Sequence, residues 1–360
     1  MESFESYVKK RNLKLGKDIV DRKKIYLDTK YWVDFCNIAL QKNTNNAISK
    51  VYEYSRKLVE ENKVIFPISY RIYIELLRQS DEETLFETVK IMDYLSQGVA
   101  IISEEERVEL EILYFLRKNT SKSKEINLHE PIELVWTKIV NILGVMSPQL
   151  SAISLEENLQ VKKMFFDYTW DMSLYKMLLS MGMDNIGKFP TERSITDELN
   201  LEKIEYFEQN NTLNQTYMSE LSAILDLYRE KFNNLLQHIH FEYFKVESID
   251  SEDQQDYSNQ VANIIYYMFE KQKNEIFLPS WDIMAKIHAL IRWDKNRKYK
   301  DNDFNDIGHI VTALPYFDYF FTEKSFSSLI TQSKYNDKYN CKVVWKYEDA
   351  LSELKEIKGA

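Results

Sequence analysis

Three short apolar runs near the start of the chain, and two more near its end, constrain the fold most. They are Lys24-Ile-Tyr-Leu-Asp28, Val64-Ile-Phe66, Val99-Ala-Ile-Ile102, Tyr319-Phe-Phe-Thr322 and Lys342-Val-Val-Trp345. Each is too short for a helix, and such runs bounded by turns read as buried strands. Segments with helical spacing lie between them: Tyr31–Leu40, Asn45–Glu61, the stretch after Ser69, Asp81–Leu95, Ser103 to Arg117, Ser325–Thr331 and Glu348–Ile357. Strands that alternate with helices need crossover connections, which make a parallel sheet. The two groups of runs are therefore expected to build one parallel α/β sheet from two separated pieces of chain.

The middle is different in character. From Asn119 to Phe277 no segment reads as a strand, whereas Leu128–Leu143, Leu155–Met181, Glu192–Asn210, Tyr217–Phe244 and Glu252–Lys273 read as helices. Gly187–Pro190 and Val246–Asp250 read as connections. With only 7 Gly and 6 Pro, long helices are favoured. No fixed period is present, which disfavours a solenoid. The expected organisation is a first core segment at 1–118, an all-α insertion at 119–279 and a second core segment at 280–360. Phe165, Phe166, Tyr168 and Trp170 are expected in the core of that insertion. After it, Trp281–Trp293 and Phe304–Leu314 read as amphipathic helices.

Net charge is -10. An acidic balance disfavours a protein that coats nucleic acid. It leaves room for a nuclease, whose metal-binding carboxylates are acidic and whose phosphate contacts are local. Cys36 and Cys341 form no CxxC pattern, which argues against a zinc ribbon or a disulfide framework. Met1–Lys17 has no apolar core of the kind a secretory leader needs. No run of about 18 apolar residues occurs, so no membrane span is expected. The expected location is cytoplasmic.

In open parallel sheets, functional groups gather beyond the carboxyl ends of the strands. Asp28 ends the first run, and Glu323 follows the Tyr319–Thr322 run. Asp303 and Asp306 lie near the start of the helix before that run, and Glu75 lies on the helix after Pro67. Hard carboxylate oxygens suit Mg²⁺ or Mn²⁺. Bound at such a place, an ion activates water and stabilises a phosphoryl oxygen. Competing roles exist for each residue. Asp28 could cap the next helix, Asp303 and Asp306 could form a capping box, and Glu75 could face solvent. His309 lies three residues beyond Asp306 on the same helical side, where a satisfied, semi-buried histidine is the ordinary role.

Leu27-Asp28-Thr29 with Trp32-Val33-Asp34 resembles the opening motif of the PIN-like ribonuclease family. Pro67-Ile-Ser69 with Glu75 resembles its second motif. Asn302-Asp-Phe-Asn-Asp306-Ile-Gly-His309-Ile-Val-Thr-Ala-Leu314 and Tyr319-Phe-Phe-Thr-Glu323-Lys-Ser-Phe326 resemble its third and fourth. The resemblance covers roughly residues 20–118 and 280–358. It implies a PIN-like sheet and a metal-dependent nuclease. Asp28, Glu75 and Asp306 would be core ligands, Glu323 would take the fourth acidic place, and Thr29 would orient Asp28 or a metal-bound water. Two residues depart from the family pattern. Lys30 stands where the family often has Asn and would add a phosphate contact, and Glu323 stands where Asp is usual.

Arg292, Lys295, Arg297 and Lys298, interleaved with Trp293 and Tyr299 and followed by Lys300, form a basic cluster just before Asp303. Such a cluster can grip phosphates and stack bases, or it can be a solvated loop. Three functions stay open. One is an endoribonuclease acting on RNA, which the resemblance would set in stress, toxin or phage-defence contexts. Another is a DNA nuclease of the same fold. The last is an inactive PIN-like scaffold whose helical insertion binds a protein partner. The insertion could equally serve as a homo-oligomer interface.

Overall fold

The computed structural model describes residues 2–79, 81–119, 128–151, 153–182, 196–205, 212–244, 251–271 and 278–359. Its contacts fall into two units. The first comprises Met1–Arg107, Glu130–Glu192 and Thr312–Ala360, and the second comprises Val108–His129 and Arg193–Val311.

The elements follow in chain order. Helix α1 (Phe4–Asp18) leads to β1 (Lys23–Leu27), α2 (Thr29–Ala39), α3 (Asn46–Glu60), β2 (Val64–Ile65), α4 (Tyr70–Leu77), α5 (Glu82–Ser96), β3 (Val99–Ile101) and α6 (Glu104–Lys118). Next come α7 (Pro131–Leu134), β4 (Trp136–Lys138), α8 (Leu155–Thr169), α9 (Leu174–Met181), α10 (Thr196–Glu205), α11 (Leu213–Leu227), α12 (Arg229–Phe244), α13 (Ser251–Glu270), α14 (Pro279–Trp293) and α15 (Asp303–Ala313). The chain closes with β5 (Tyr319–Phe321), α16 (Lys324–Ser333), α17 (Tyr335–Lys338), β6 (Lys342–Val344) and α18 (Tyr347–Gly359).

The first unit is built on a parallel sheet in the order β2-β1-β5-β6. Ile25, Tyr26 and Leu27 register against Tyr319, Phe320 and Phe321, and these in turn against Lys342, Val343 and Val344. The two ends of the chain thus share one sheet, as the alternating runs imply. Ile25, Tyr26, Leu27, Phe320 and Phe321 are all at most 2% exposed. Parallel strands covered on both faces read as unbroken apolar runs for this reason. Tyr26 packs edge-on against Phe317 and Phe320, with centroids 5.0 and 5.3 Å away.

Strand β3 does not extend the parallel sheet as a full strand. It pairs antiparallel with β4 and touches the chain leaving β2 through a single bridge between Ile68 and Ala100. The helix expected over Leu128–Leu143 is corrected accordingly. That stretch holds α7, β4 and a short 3-10 turn at Ile139–Asn141, so the region from 119 to 279 is not all helix. Long-range pairing with β3 sets its conformation, overriding local spacing. The expected helix Leu155–Met181 divides into α8 and α9, where Ser173 caps the second piece.

Helix α1 forms over a segment that is polar and charged in sequence. Ser3 caps it, and Gly16 lets it lie against α7: a Cβ there would stand 2.5 Å from the Glu133 carbonyl oxygen. Phe166 and Trp170 are buried and Phe4 packs edge-on against Phe166 at 5.9 Å. Phe165 and Tyr168, in contrast to the expected core role, are 40% and 84% exposed.

The second unit is helical among its described residues. Val108, Ile112 and Phe115 of α6 share a core with Leu221 and Leu225 of α11, Phe232 of α12, Ile265 of α13 and Trp281 of α14. Buried Glu111 fixes the start of α14 by accepting from the Ser280 amide at 3.0 Å and its hydroxyl at 2.7 Å. The expected connections Gly187–Pro190 and Val246–Asp250 lie outside the described residues, as do both ends of the expected helix Glu192–Asn210. No helix among the described residues is long and apolar enough to cross a membrane.

Candidate functional site

The order β2-β1-β5-β6 places β1 and β5 side by side, yet the chain leaves β1 toward one edge and β5 toward the other. Right-handed crossovers then put the following helices on opposite faces, opening a crevice beyond the carboxyl ends of β1 and β5. Asp28 immediately follows β1, and Glu323 follows β5 after Thr322.

Asp28 occupies the N-cap position of α2, but its side chain makes no capping hydrogen bond. Its backbone amide continues the ladder to Phe321 O at 3.0 Å. Its carboxylate Oδ2 instead accepts from the Thr322 hydroxyl at 2.9 Å. The residue is 8% exposed. Helix capping therefore does not account for this carboxylate. Glu323 is likewise at an N-cap position, that of α16, without a side-chain capping bond, and it is exposed.

Glu75 reaches the same place from α4. Ser69 caps that helix and shares a 2.7 Å hydrogen bond with the Tyr26 hydroxyl, which ties the helix start to β1. The Thr29 hydroxyl is hydrogen-bonded to the Glu75 carboxylate. Burial pushes the Tyr26 hydroxyl far above the usual tyrosine range. The Ser69 hydrogen bond opposes this, while the Asp28 and Glu75 charges add to it and Arg107 counters them. Both carboxylates thus act on a single buried hydroxyl. The structure joins Thr29 to Glu75 and Asp28 to Thr322, and Glu323 is the residue after Thr322.

An open cleft adjoins this group, lined by Lys30, Glu323, Lys324, Ser325, Ser328 and Trp345. Asp34 of the opening motif accepts from the Tyr347 hydroxyl at 2.6 Å.

The other expected residues lie in the second unit. Asp306 is in the first turn of α15, half-buried, and its amide donates to Asn302 O at 3.1 Å. Asp303 is 3% exposed and holds the preceding loop, accepting from the Lys300 amide at 3.1 Å and pairing with Arg297 at 3.5 Å. His309 is buried. Arg292 pairs with Glu202 at 3.0 Å and with Glu220 at 2.6 Å. Tyr299 is 2% exposed and packs on His288 and Phe304, so it is core and offers no face to a base. Buried Lys203 donates to the carbonyls of Ile291, Asp294 and Arg297, tying down the same loop. Lys295 and Lys298 are exposed.

Among the described residues, no three His, Cys, Asp or Glu side chains stand close enough to hold one ion. Mg²⁺ does not require such a cage. It keeps several waters and is commonly held by one or two carboxylates with substrate phosphates. The hard oxygen donors of Asp28, held by Thr322, and of Glu75, held by Thr29, fit that chemistry.

Comparison with family models, with curated proteins and with solved structures finds no match to the chain.

Proposed function

We propose that the chain is a metal-dependent endonuclease of PIN-like type that hydrolyses RNA phosphodiester bonds. One observation carries the reading: Asp28, at the end of a central strand, turns its carboxylate away from the helix it could cap and toward Thr322 at the end of the neighbouring strand. A buried carboxylate held in place and left uncapped at a topological switch point is what an ion-dependent site requires.

The residues divide the work. Thr322 fixes the Asp28 rotamer through Oδ2, leaving Oδ1 to a ligand. Thr29 holds the Glu75 carboxylate. Glu323, exposed at the cleft, can accept a proton from an attacking water. Asp303 does not join this proposal, because its carboxylate is engaged with Lys300 and Arg297. Mg²⁺ or Mn²⁺, when bound, would acidify water and neutralise charge on the phosphoryl oxygens. The preference for RNA over DNA comes from the resemblance.

The test is cleavage of matched RNA and DNA, each with Mg²⁺, with Mn²⁺ and with chelator. Chelator-sensitive cleavage of RNA, lost in Asp28→Asn, supports the reading. Cleavage unaffected by chelator, or no cleavage of either polymer by protein that binds the metal, overturns it.

A further inference from the structure

The cleft beside Glu323 carries a cation–aromatic pattern that the carboxylate site does not use. Trp345 follows β6 and is half-buried. The ammonium groups of Lys324 and Lys346 lie 5.3 and 5.0 Å from the centre of its ring system. Lys30 lies 5.4 Å from the ring of Tyr347, whose hydroxyl is anchored by Asp34. All three lysines are exposed, and among the described residues none of them forms an ion pair. Glu323 is the one carboxylate lining the cleft, against two hydroxyls, Ser325 and Ser328. Three lysines without an ion pair among the described residues thus stand around two aromatic rings beyond the strand ends, beside the carboxylates of Asp34, Glu323 and Glu348, which also act on Tyr347.

We infer that this cleft is a subsite for an unpaired nucleotide of a single-stranded nucleic acid, with Trp345 as the stacking face and Lys30, Lys324 and Lys346 as phosphate contacts. This rests on the proposed nuclease reading, because it is the strand's path past the carboxylates that the subsite would set. An exposed ammonium over an indole is held more weakly than a base stacked on the same ring. The base wins the ring, and the displaced ammoniums remain beside the flanking phosphates. A duplex cannot use the ring, since its bases are already stacked and paired.

The experiment measures binding without cleavage. Fluorescein-labelled single-stranded RNA of twelve nucleotides and the duplex of the same sequence are titrated by anisotropy in chelator. The single strand is expected to bind more tightly than the duplex. Trp345→Ala should weaken single-strand binding about tenfold or more, and Trp345→Phe should restore most of it. Replacing Lys324 and Lys346 together by Ala should flatten the salt dependence by about 1.4 in log–log slope, for two lost phosphate contacts on a single strand. Thermal unfolding of each variant checks the fold, and if Trp345→Ala unfolds the lysine double variant decides, an unchanged salt slope overturning the subsite. Unchanged affinity in a folded Trp345→Ala variant overturns the subsite, as does an equal loss for duplex or for a poly-aspartate peptide. Trp345-dependent single-strand binding by a protein that never cleaves would support the subsite and defeat the nuclease reading. Chelator-sensitive cleavage with no effect of Trp345 would do the reverse.

Discussion

The hydroxyl of Thr322 donates to Oδ2 of Asp28 at 2.9 Å, across two adjacent strand ends. Thr322 is 1% exposed, so neither partner can exchange this bond for water without moving. The bond aligns a carboxylate with the crevice between β1 and β5 at the cost of leaving α2 without its side-chain cap. A cap is worth about 1 kcal/mol, which a protein gives up readily only where another use of the carboxylate outweighs it.

Asp28→Asn should separate that use from stability. Asn keeps the size and can accept from Thr322, and it caps helices about as well as Asp. Metal-dependent cleavage should fall by a hundredfold or more, a change of about 2.7 kcal/mol in the barrier. The thermal midpoint without added metal should hardly move. A folded variant that cleaves at the parental rate across a Mg²⁺ and Mn²⁺ titration would remove Asp28 from the site.

Thr322→Val keeps the shape and deletes the donor. A buried charged acceptor left without its partner should cost about 1–3 kcal/mol, read as a lower urea midpoint, and cleavage should fall with it. Thr322→Ser should recover both. If Val and Ser behave alike, the hydroxyl has no part in holding Asp28.

Gly16→Ala sets two effects against each other. Helix propensity favours Ala by about 1 kcal/mol. The new Cβ, however, would stand 2.5 Å from the Glu133 carbonyl oxygen, a backbone atom that cannot swing aside. Overpacking of this kind costs about 1–3 kcal/mol, so a net loss of stability is expected in urea unfolding. A stabilised variant would show that α1 does not approach α7 so closely.

His288 gives the second unit a pH dependence. Burial, then the nearby Arg292 charge, lowers its pKa from 6.5 to about 4. Around it stand the Tyr299 hydroxyl, 2.9 Å from Nδ1, and the ring of Phe304. Between those two values the unfolded chain binds a proton that the folded chain refuses. Stability is therefore fully present above about pH 6.5 and is lost as the pH falls toward 4, by up to ~3 kcal/mol. Unfolding of the parent and of His288→Asn across that range should diverge on the acid side, the parent falling more steeply. Parallel curves would show that the imidazole titrates normally in the folded protein.

The strands that carry the sheet were legible because burial on both faces leaves no polar register to confuse the pattern: Ile25 to Leu27 and Tyr319 to Phe321 are apolar throughout. Strand β4 was not, since Trp136-Thr137-Lys138 is three residues long and owes its conformation to β3. Helix α1 was hidden by a packing face that includes Asn12 and Gly16. Asp28, Glu75 and Glu323 could be placed from their positions after strands and caps. The Thr322 bond could not, because its partners are 294 residues apart. The basic loop misled in part, for composition does not distinguish an arginine facing solvent from Arg292 facing Glu220, whose carboxyl burial pushes up while Arg292 draws it down.

That long separation also has a consequence for biosynthesis. Strand β2 is made soon after β1, but the other edge of β1 has no partner until β5 is made. At ~5–20 residues per second, a ribosome needs roughly 15–60 s to cover that interval. During this time the central strand presents an open edge, the feature that invites wrong pairing between nascent chains. Thr322 is not yet there to orient Asp28. Any activity that depends on that bond therefore begins only after β5 has left the ribosome, so fragments arising from interrupted translation before that strand would be inert.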